Sequence, residues 1–438
     1  MKNFPVSNDL LLEAIKIAGI RNTERISIRE TVKIANILEQ KTNQSFIRLE
    51  MGVPGLPPPD VAVQAEHDAA LKGLGAIYPP IDGVPELKAE ASRFAKLFID
   101  VDIPAHCILP ATGSMQATMA AFLVANRTDT KKTKTLFIDP GFPVNKAQLK
   151  VLGMEYYSFD VYNYRGEALK AKLIEYLEKG DVATILYSSP NNPSWISFTE
   201  RELEIIGSLA QEYGVIVLED LAYFGMDLRH DISVPGVPPF NPTVAKYTRN
   251  YILLLSGSKT FSYAGQRIAV MMISPELFNK DYPDLLRFFG NSNFGHAMIF
   301  DALYTLSTGT THTTQYGFAA ILEACNNGSY IFVKEISEYS RRAAFLKKLF
   351  LDNNFKIVYD KDGDADLADG FYFTVEYPGM TSTRLSLNLL RFGIATIGLN
   401  ICNSDNTSGL RICVSQLKSE LFPVVEDRLS AFAREFVL

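Results

Sequence analysis

Between residues 134 and 273 the sequence carries six short, unbroken runs of apolar, β-branched or aromatic residues. They are KTLFID (134–139), MEYYSFD (154–160), ATILYS (183–188), VIVLED (215–220), YILLLS (251–256) and IAVMMI (268–273). Strict alternation would mark strands with one wet face, whereas continuous runs of this length suit strands covered on both faces. The stretches between them read as amphipathic helices. FTERELEIIGSLAQEYG (198–214) opens with Thr199 and Glu202 at capping-box spacing and closes on Gly214, a natural C-cap. This strand–helix alternation predicts an α/β fold with a mainly parallel sheet flanked by helices. In such sheets ligands gather at the carboxyl ends of the strands.

A chain of 438 residues exceeds one ordinary core, so two domains are expected, the larger spanning about 61–310. After Asn291 the pattern changes. A long helical region (roughly 296–351) carries Arg341, Arg342, Lys347 and Lys348 on what read as polar faces. It leads to FKIVYD (355–360), GFYFTVE (370–376), a helix near 381–392, LRICVS (410–415) and a last helix over 418–436. These suggest a smaller α+β domain assembled from 1–60 and 311–438, with MGVPGLPPPD (51–60) as an extended linker.

Composition narrows the partners. A net charge of −6 without any Lys/Arg run argues against nucleic acid. Cys107, Cys325, Cys402 and Cys413 lie mostly in apolar stretches without C-x-x-C spacing, so buried free thiols are expected, and five scattered histidines offer no metal constellation. The first residues lack the apolar core of a signal peptide and no 18-residue apolar span occurs, so cytoplasmic residence is the default expectation.

Two strand ends carry the chemistry. YILLLSGSKTFSYAGQR (251–267) runs an apolar strand into a small, hydroxyl-rich turn that presents Lys259, with Arg267 eight positions later. VIVLEDLAYFG (215–225) ends a second strand on Asp220, with Tyr223 three residues on. An amine able to condense with an aldehyde and an acid able to hold a pyridinium proton are what pyridoxal phosphate chemistry needs. TGSMQATMAAFLVA (112–125) adds Gly113 and Ser114 at the start of an apolar helix, where free amides and the helix dipole attract an anion.

Together with DPGFP (139–143), SSPNNPSW (188–195), YPPIDGVPEL (78–87) and SGLRICVSQ (408–416), these motifs resemble the class I/II aminotransferases of the fold-type I pyridoxal-phosphate superfamily. The resemblance covers nearly the whole chain in the family's motif order. It implies that Lys259 anchors the cofactor and carries protons, that Asp220 pairs with the ring nitrogen, and that Tyr223 and Asn192 meet its phenolic oxygen. It further implies a phosphate cup of Gly113, Ser114, Met115, Ser256, Ser258 and Arg267, with Phe142 stacked on the ring. Arg411 would hold the substrate α-carboxylate beside Gly52 and Asn192, and Tyr78 would reach the phosphate of a neighbouring subunit, which makes the enzyme a homodimer. The reaction implied is ping-pong transfer of an α-amino group to a 2-oxo acid. A carbon–sulfur lyase or cyclopropane-type synthase on the same fold is the alternative.

The sequence departs from the family pattern in three places. Met115 replaces a small residue in the phosphate turn, and Ser194-Trp195 stands where Thr-Gly is common, so the indole either reshapes the pocket or faces the core. The arginine that reads a side-chain carboxylate has no secure match: LLRFFGNSN (285–293) offers Arg287, but the natural spacing puts Phe288 there. Phe288 and Phe289, with Trp195, hint at a hydrophobic side-chain pocket. SGSK (256–259) and Ser404-Asp405-Asn406 also satisfy two marks of serine β-lactamases. The third mark fails, since Lys259-Thr260 is followed by Phe261.

Overall fold

The computed structural model describes residues 4–436. By its internal contacts the chain divides into two compact units. The larger holds Leu56–Asn191 and Ser197–Ile336, and the smaller holds Met1–Gly55, Asn192–Ile196 and Ser337–Leu438. Residues 1–3 and 437–438, at the ends of the expected small domain, lie outside the described residues. The first crossing falls inside the proline-rich stretch, as its composition suits. The helix His312–Asn326 counts with the larger unit, not the smaller as its position after 310 suggested, because it packs along Asp60–Leu71 and Pro85–Phe94.

The larger unit is built on a seven-stranded sheet. Across it the order runs Ile108–Ala111, Ala269–Ile273, Tyr251–Ser256, Ile216–Leu221, Val182–Ser188, Lys134–Asp139 and Tyr156–Asp160. Only Ala269–Ile273 runs against the rest. The six apolar runs all form strands. A seventh, Ile108–Ala111, is too short and too interrupted by Pro110 to stand out in the sequence. It sits at the sheet edge, where a missing N–H costs no ladder bond.

The helix Gly113–Ala125 is apolar on nearly every side and mostly buried. Phe122 and Val124 share one cluster with Leu109, Phe137, Leu186, Leu218, Leu254 and Met271 from the sheet. Each such side chain contributes about 1.5–3 kcal/mol when buried, so the helix is firmly seated and its first turn stays at the carboxyl end of the strands. The helix Glu200–Tyr213 has the expected capping box: Glu202 N donates to Thr199 Oγ1 at 3.2 Å and Thr199 N to Glu202 Oε2 at 3.0 Å. Gly214 closes it at φ 61°.

The helical region expected over roughly 296–351 is made of several pieces. A wide-turn segment Ala297–Leu303 runs into Tyr304–Ser307, then come His312–Asn326 and Phe332–Asp352. Gly309 and Gly328, both at positive φ, supply the breaks. Arg342 is not on a solvated face: it is buried, bonded to Glu338 Oε1 at 2.8 Å and to the carbonyl of Ser415.

The smaller unit carries a four-stranded antiparallel sheet, ordered Ile397–Gly398, Gly409–Cys413, Tyr372–Glu376 and Lys356–Ile357. The run expected over 355–360 pairs only at Lys356–Ile357, because Thr374 Oγ1 captures the Tyr359 N–H and ends the ladder. A parallel pairing of Ile47–Arg48 with Ile394–Ala395 draws the segment before Gly52 into this unit. The four cysteines are buried thiols. Among the described residues no helix is long and apolar enough to cross a membrane.

Candidate active site

In the larger unit the chemistry-bearing residues follow strands that end on one edge of the sheet. Asp220 closes Ile216–Leu221, opposite Ser188 of the neighbouring strand, and its Oδ1 accepts the Ala222 amide at 3.1 Å. Burial pushes its carboxyl up to about 6, with that amide pulling the other way. Phe142, at the head of the helix Pro143–Leu152, lines one small cavity together with Asp220 and Asn191. An aromatic face and an acid therefore meet there, which suits a flat ring bearing a basic nitrogen.

Tyr223 is buried in the turn after the Asp220 strand. Lys259 is half-buried in the loop after Tyr251–Ser256. The two segments are tied together, since Thr260 Oγ1 donates to the carbonyl of Phe224 at 2.8 Å. Ser256 turns inward, its Oγ accepting the Ser258 amide at 3.1 Å.

An anion cup lies beside this loop. The helix Gly113–Ala125 has no side-chain N-cap bond, so its first-turn amides are left for a ligand. Ser114 Oγ is buried without a hydrogen-bond partner. Gly113, at φ 71°, lies so close to Arg267 that a Cβ there would stand 2.5 Å from Nη2. Arg267 Nη1 reaches Ala264 O at 2.8 Å and Ser258 Oγ at 3.5 Å. A fixed guanidinium, an orphaned hydroxyl and helix-start amides fit a phosphate. The departure at Met115 does not disturb the turn. Its side chain lines an apolar groove with Met119, Val144 and Leu306 on the helix flank.

In the smaller unit Arg411 is 2% exposed. Its Nη1 donates to Asn192 Oδ1 at 3.2 Å and its Nη2 to the carbonyl of Glu50 at 2.5 Å. The guanidinium lies 4.7 Å over the Tyr372 ring. Gly52 is required by the same ring, because a Cβ there would overlap the Tyr372 hydroxyl. Trp195 faces the core: it is 1% exposed, edge-on to Tyr372, and packed where Gly370 leaves room.

Tyr78 was expected at a neighbouring subunit's site, and Arg287 and Phe288 were weighed for the side-chain pocket. Tyr78 is 83% exposed, with nothing of its own chain packed over it. Arg287 and Phe288 lie at the far end of the sheet. Arg127, in the loop between the helix Gly113–Ala125 and the strand Lys134–Asp139, sits 4.8 Å over the Phe288 ring. That loop joins the amino ends of the strands, so within one chain Arg287 and Phe288 lie apart from the strand ends that carry Asp220 and Lys259.

The sequence reading missed three groups. Asp139 is buried, ion-paired with the buried Lys146 and pushed up to about 6 by desolvation against that lysine's pull. Its seven-residue spacing to Lys146, across a strand-to-helix turn, was the available signal. Glu50 is fully buried, bonded to Arg48 Nε at 2.7 Å, and raised chiefly by burial. Tyr372 was hidden in an ordinary strand pattern.

A model of the family described as aminotransferase class I and II matches residues 44–429. The chain is 24% identical over 394 residues to a probable aspartate aminotransferase of Methanocaldococcus jannaschii, covering 86% of this chain and 94% of that protein. Its fold is similar to that of an alanine aminotransferase from Pyrococcus furiosus, with a TM-score of 0.74 at 19% identity, over 94% of this chain and 98% of the other. It is also similar to an aromatic aminotransferase from Pyrococcus horikoshii OT3, with a TM-score of 0.70 at 20% identity, over 89% and 96% of the two chains.

Proposed function

The chain belongs to the class I and II aminotransferases, which are pyridoxal-phosphate-dependent transaminases, and from that premise we propose the residues by which it works. The cofactor, when bound, supplies an aldehyde carbon for the amino group and a protonated ring that draws electrons from the substrate Cα. Gly113, Ser114, Ser258 and Arg267 would hold its phosphate, and Phe142 would stack on its ring. Asp220 would keep the ring nitrogen protonated, while Tyr223 and Asn192 would donate to the phenolic oxygen. Lys259 Nζ anchors the group at rest and then moves the proton that leaves Cα. Arg411 orients the amino acid through its α-carboxylate, with Gly52 leaving the space. The observation that carries this reading is the unpartnered Ser114 hydroxyl in an uncapped helix turn pressed against Arg267.

The test is a screen of amino acids with 2-oxoglutarate and pyruvate as acceptors, run on the purified, cofactor-loaded protein beside an Arg411→Lys variant. A parent that forms new amino acid supports the reading. The variant gives up a planar, two-pronged clamp for a point charge. Its kcat/KM should fall by about 1.5–3 kcal/mol, or roughly 10- to 150-fold, mostly through KM. An unchanged KM would remove Arg411 from the substrate site.

We also propose a homodimer in which Tyr78 completes the neighbour's phosphate cup. Leu71 and Ile77, exposed at 74% and 57%, sit beside Tyr78 on the same short stretch of chain. Exposed apolar residues gathered in one place are surface that a partner would cover. Light scattering at micromolar concentration should read the mass of two chains. A persistent single-chain mass would sink the composite site.

A further inference from the structure

The loop carrying Ser258, Lys259 and Arg267 is held from outside by a carboxylate that stood out nowhere in the sequence. Glu66 belongs to the helix Asp60–Leu71 and is partly buried. Its Oε2 accepts from Tyr263 Oη at 2.6 Å and from Gln266 Nε2 at 2.6 Å. Its Oε1 accepts from Thr314 Oγ1 at 2.8 Å, on the helix His312–Asn326. One carboxylate thus joins two helices to two points of the loop, the second of them adjacent to Arg267.

The attachment is built on the loop's side as well. Tyr263 is 2% exposed, and its own N–H donates to Gly257 O at 3.0 Å, just before Ser258 and Lys259. Gly317 makes room for the phenol, since a Cβ there would overlap the Tyr263 hydroxyl. Burial, followed by the neighbouring carboxylate, raises the Tyr263 phenol well above its usual range, so it stays a donor. Bonds to an ionised acceptor are the strong class, and three converge here. Arg267, next to Gln266, sits at φ 52°, a backbone conformation that needs such outside support.

We propose that Glu66 is a positioning residue that locks the Lys259–Arg267 loop, holding the anchoring amine and the phosphate-binding guanidinium in fixed register. This rests on the roles given above to Lys259 and Arg267. Those roles fail first, and separately, if the parent protein does not retain pyridoxal phosphate.

Glu66→Ala and Glu66→Gln variants are loaded with pyridoxal phosphate and diluted into cofactor-free buffer. Release of the cofactor is timed, and the visible absorption of the Lys259-bound cofactor is titrated with pH. Glu66→Ala should release cofactor roughly 10-fold faster, at the low end of the cost of losing an outer partner of a ligand set, and should shift the titration midpoint. Glu66→Gln, which keeps acceptor oxygen at the same place, should recover most of both. Parent-like release and titration in Glu66→Ala, with only a lower melting temperature, would overturn the proposal. Should Glu66→Ala not accumulate as folded protein, Tyr263→Phe decides: faster release supports the lock and an unchanged rate refutes it.

Discussion

Replacing Lys259 with alanine should yield a protein that still takes up pyridoxal phosphate but turns over slower by about 10⁴-fold or more, the upper range for losing a positioned acid–base group. The two effects separate because the residues are separate. In the arrangement proposed above, binding energy comes from the cup at Gly113, Ser114 and Arg267 and from Asp220, none of which needs the lysine side chain. In the same arrangement Nζ is the group assigned to carry the proton that leaves Cα, so that step loses its carrier. The loop is not expected to collapse, since its outer contacts run through Tyr263 and Gln266 to Glu66. Single-turnover absorbance changes, with cofactor content measured in parallel, check both halves. Turnover at the parent rate would contradict the assignment, and so would loss of the cofactor with Gly113 and Arg267 intact.

Asp220→Asn should cut kcat by about 10²- to 10³-fold, the range for removing one preorganised charge partner, and weaken cofactor retention. The same change should act oppositely on the cofactor-free protein. Burial holds the Asp220 carboxyl up to about 6, above its ordinary 3.8. A raised acid favours the folded state below its unfolded value, and that contribution is lost as pH rises through about 6. Asparagine never carries the charge, so the variant without cofactor should gain stability over the parent between pH 4 and pH 7, with little difference at pH 4. Melting both proteins across that range reads the gap directly. A gap that narrows toward neutral pH would mean the carboxylate is stabilised, not strained, in the empty fold.

How much of this was legible depended on the reach of each interaction. Strands buried on both faces announce themselves locally, so the sheet interior was read, while Ile108–Ala111, four residues with a proline, was not. Lys259, Asp220, Gly113 and Arg411 stand in motifs whose order is itself a signal. Glu66 meets Tyr263 and Thr314 across 197 and 248 residues, and an isolated glutamate on a helix reads as a solvated face. Phe288 hinted at a pocket wall for the complementary reason: its spacing could not show that it packs with Arg127, near the amino ends of the strands. Trp195 was ambiguous because nothing near it in sequence reveals that Gly370 has left a slot for an indole.

That indole is the only one in the chain, and it belongs to the smaller unit, against the ring that underlies Arg411. The residues proposed to hold the cofactor, other than Asn192, lie in the larger unit. Ultraviolet emission and visible absorption therefore watch different halves of the molecule. Melting or ligand titration followed at both wavelengths resolves the halves without any attached dye.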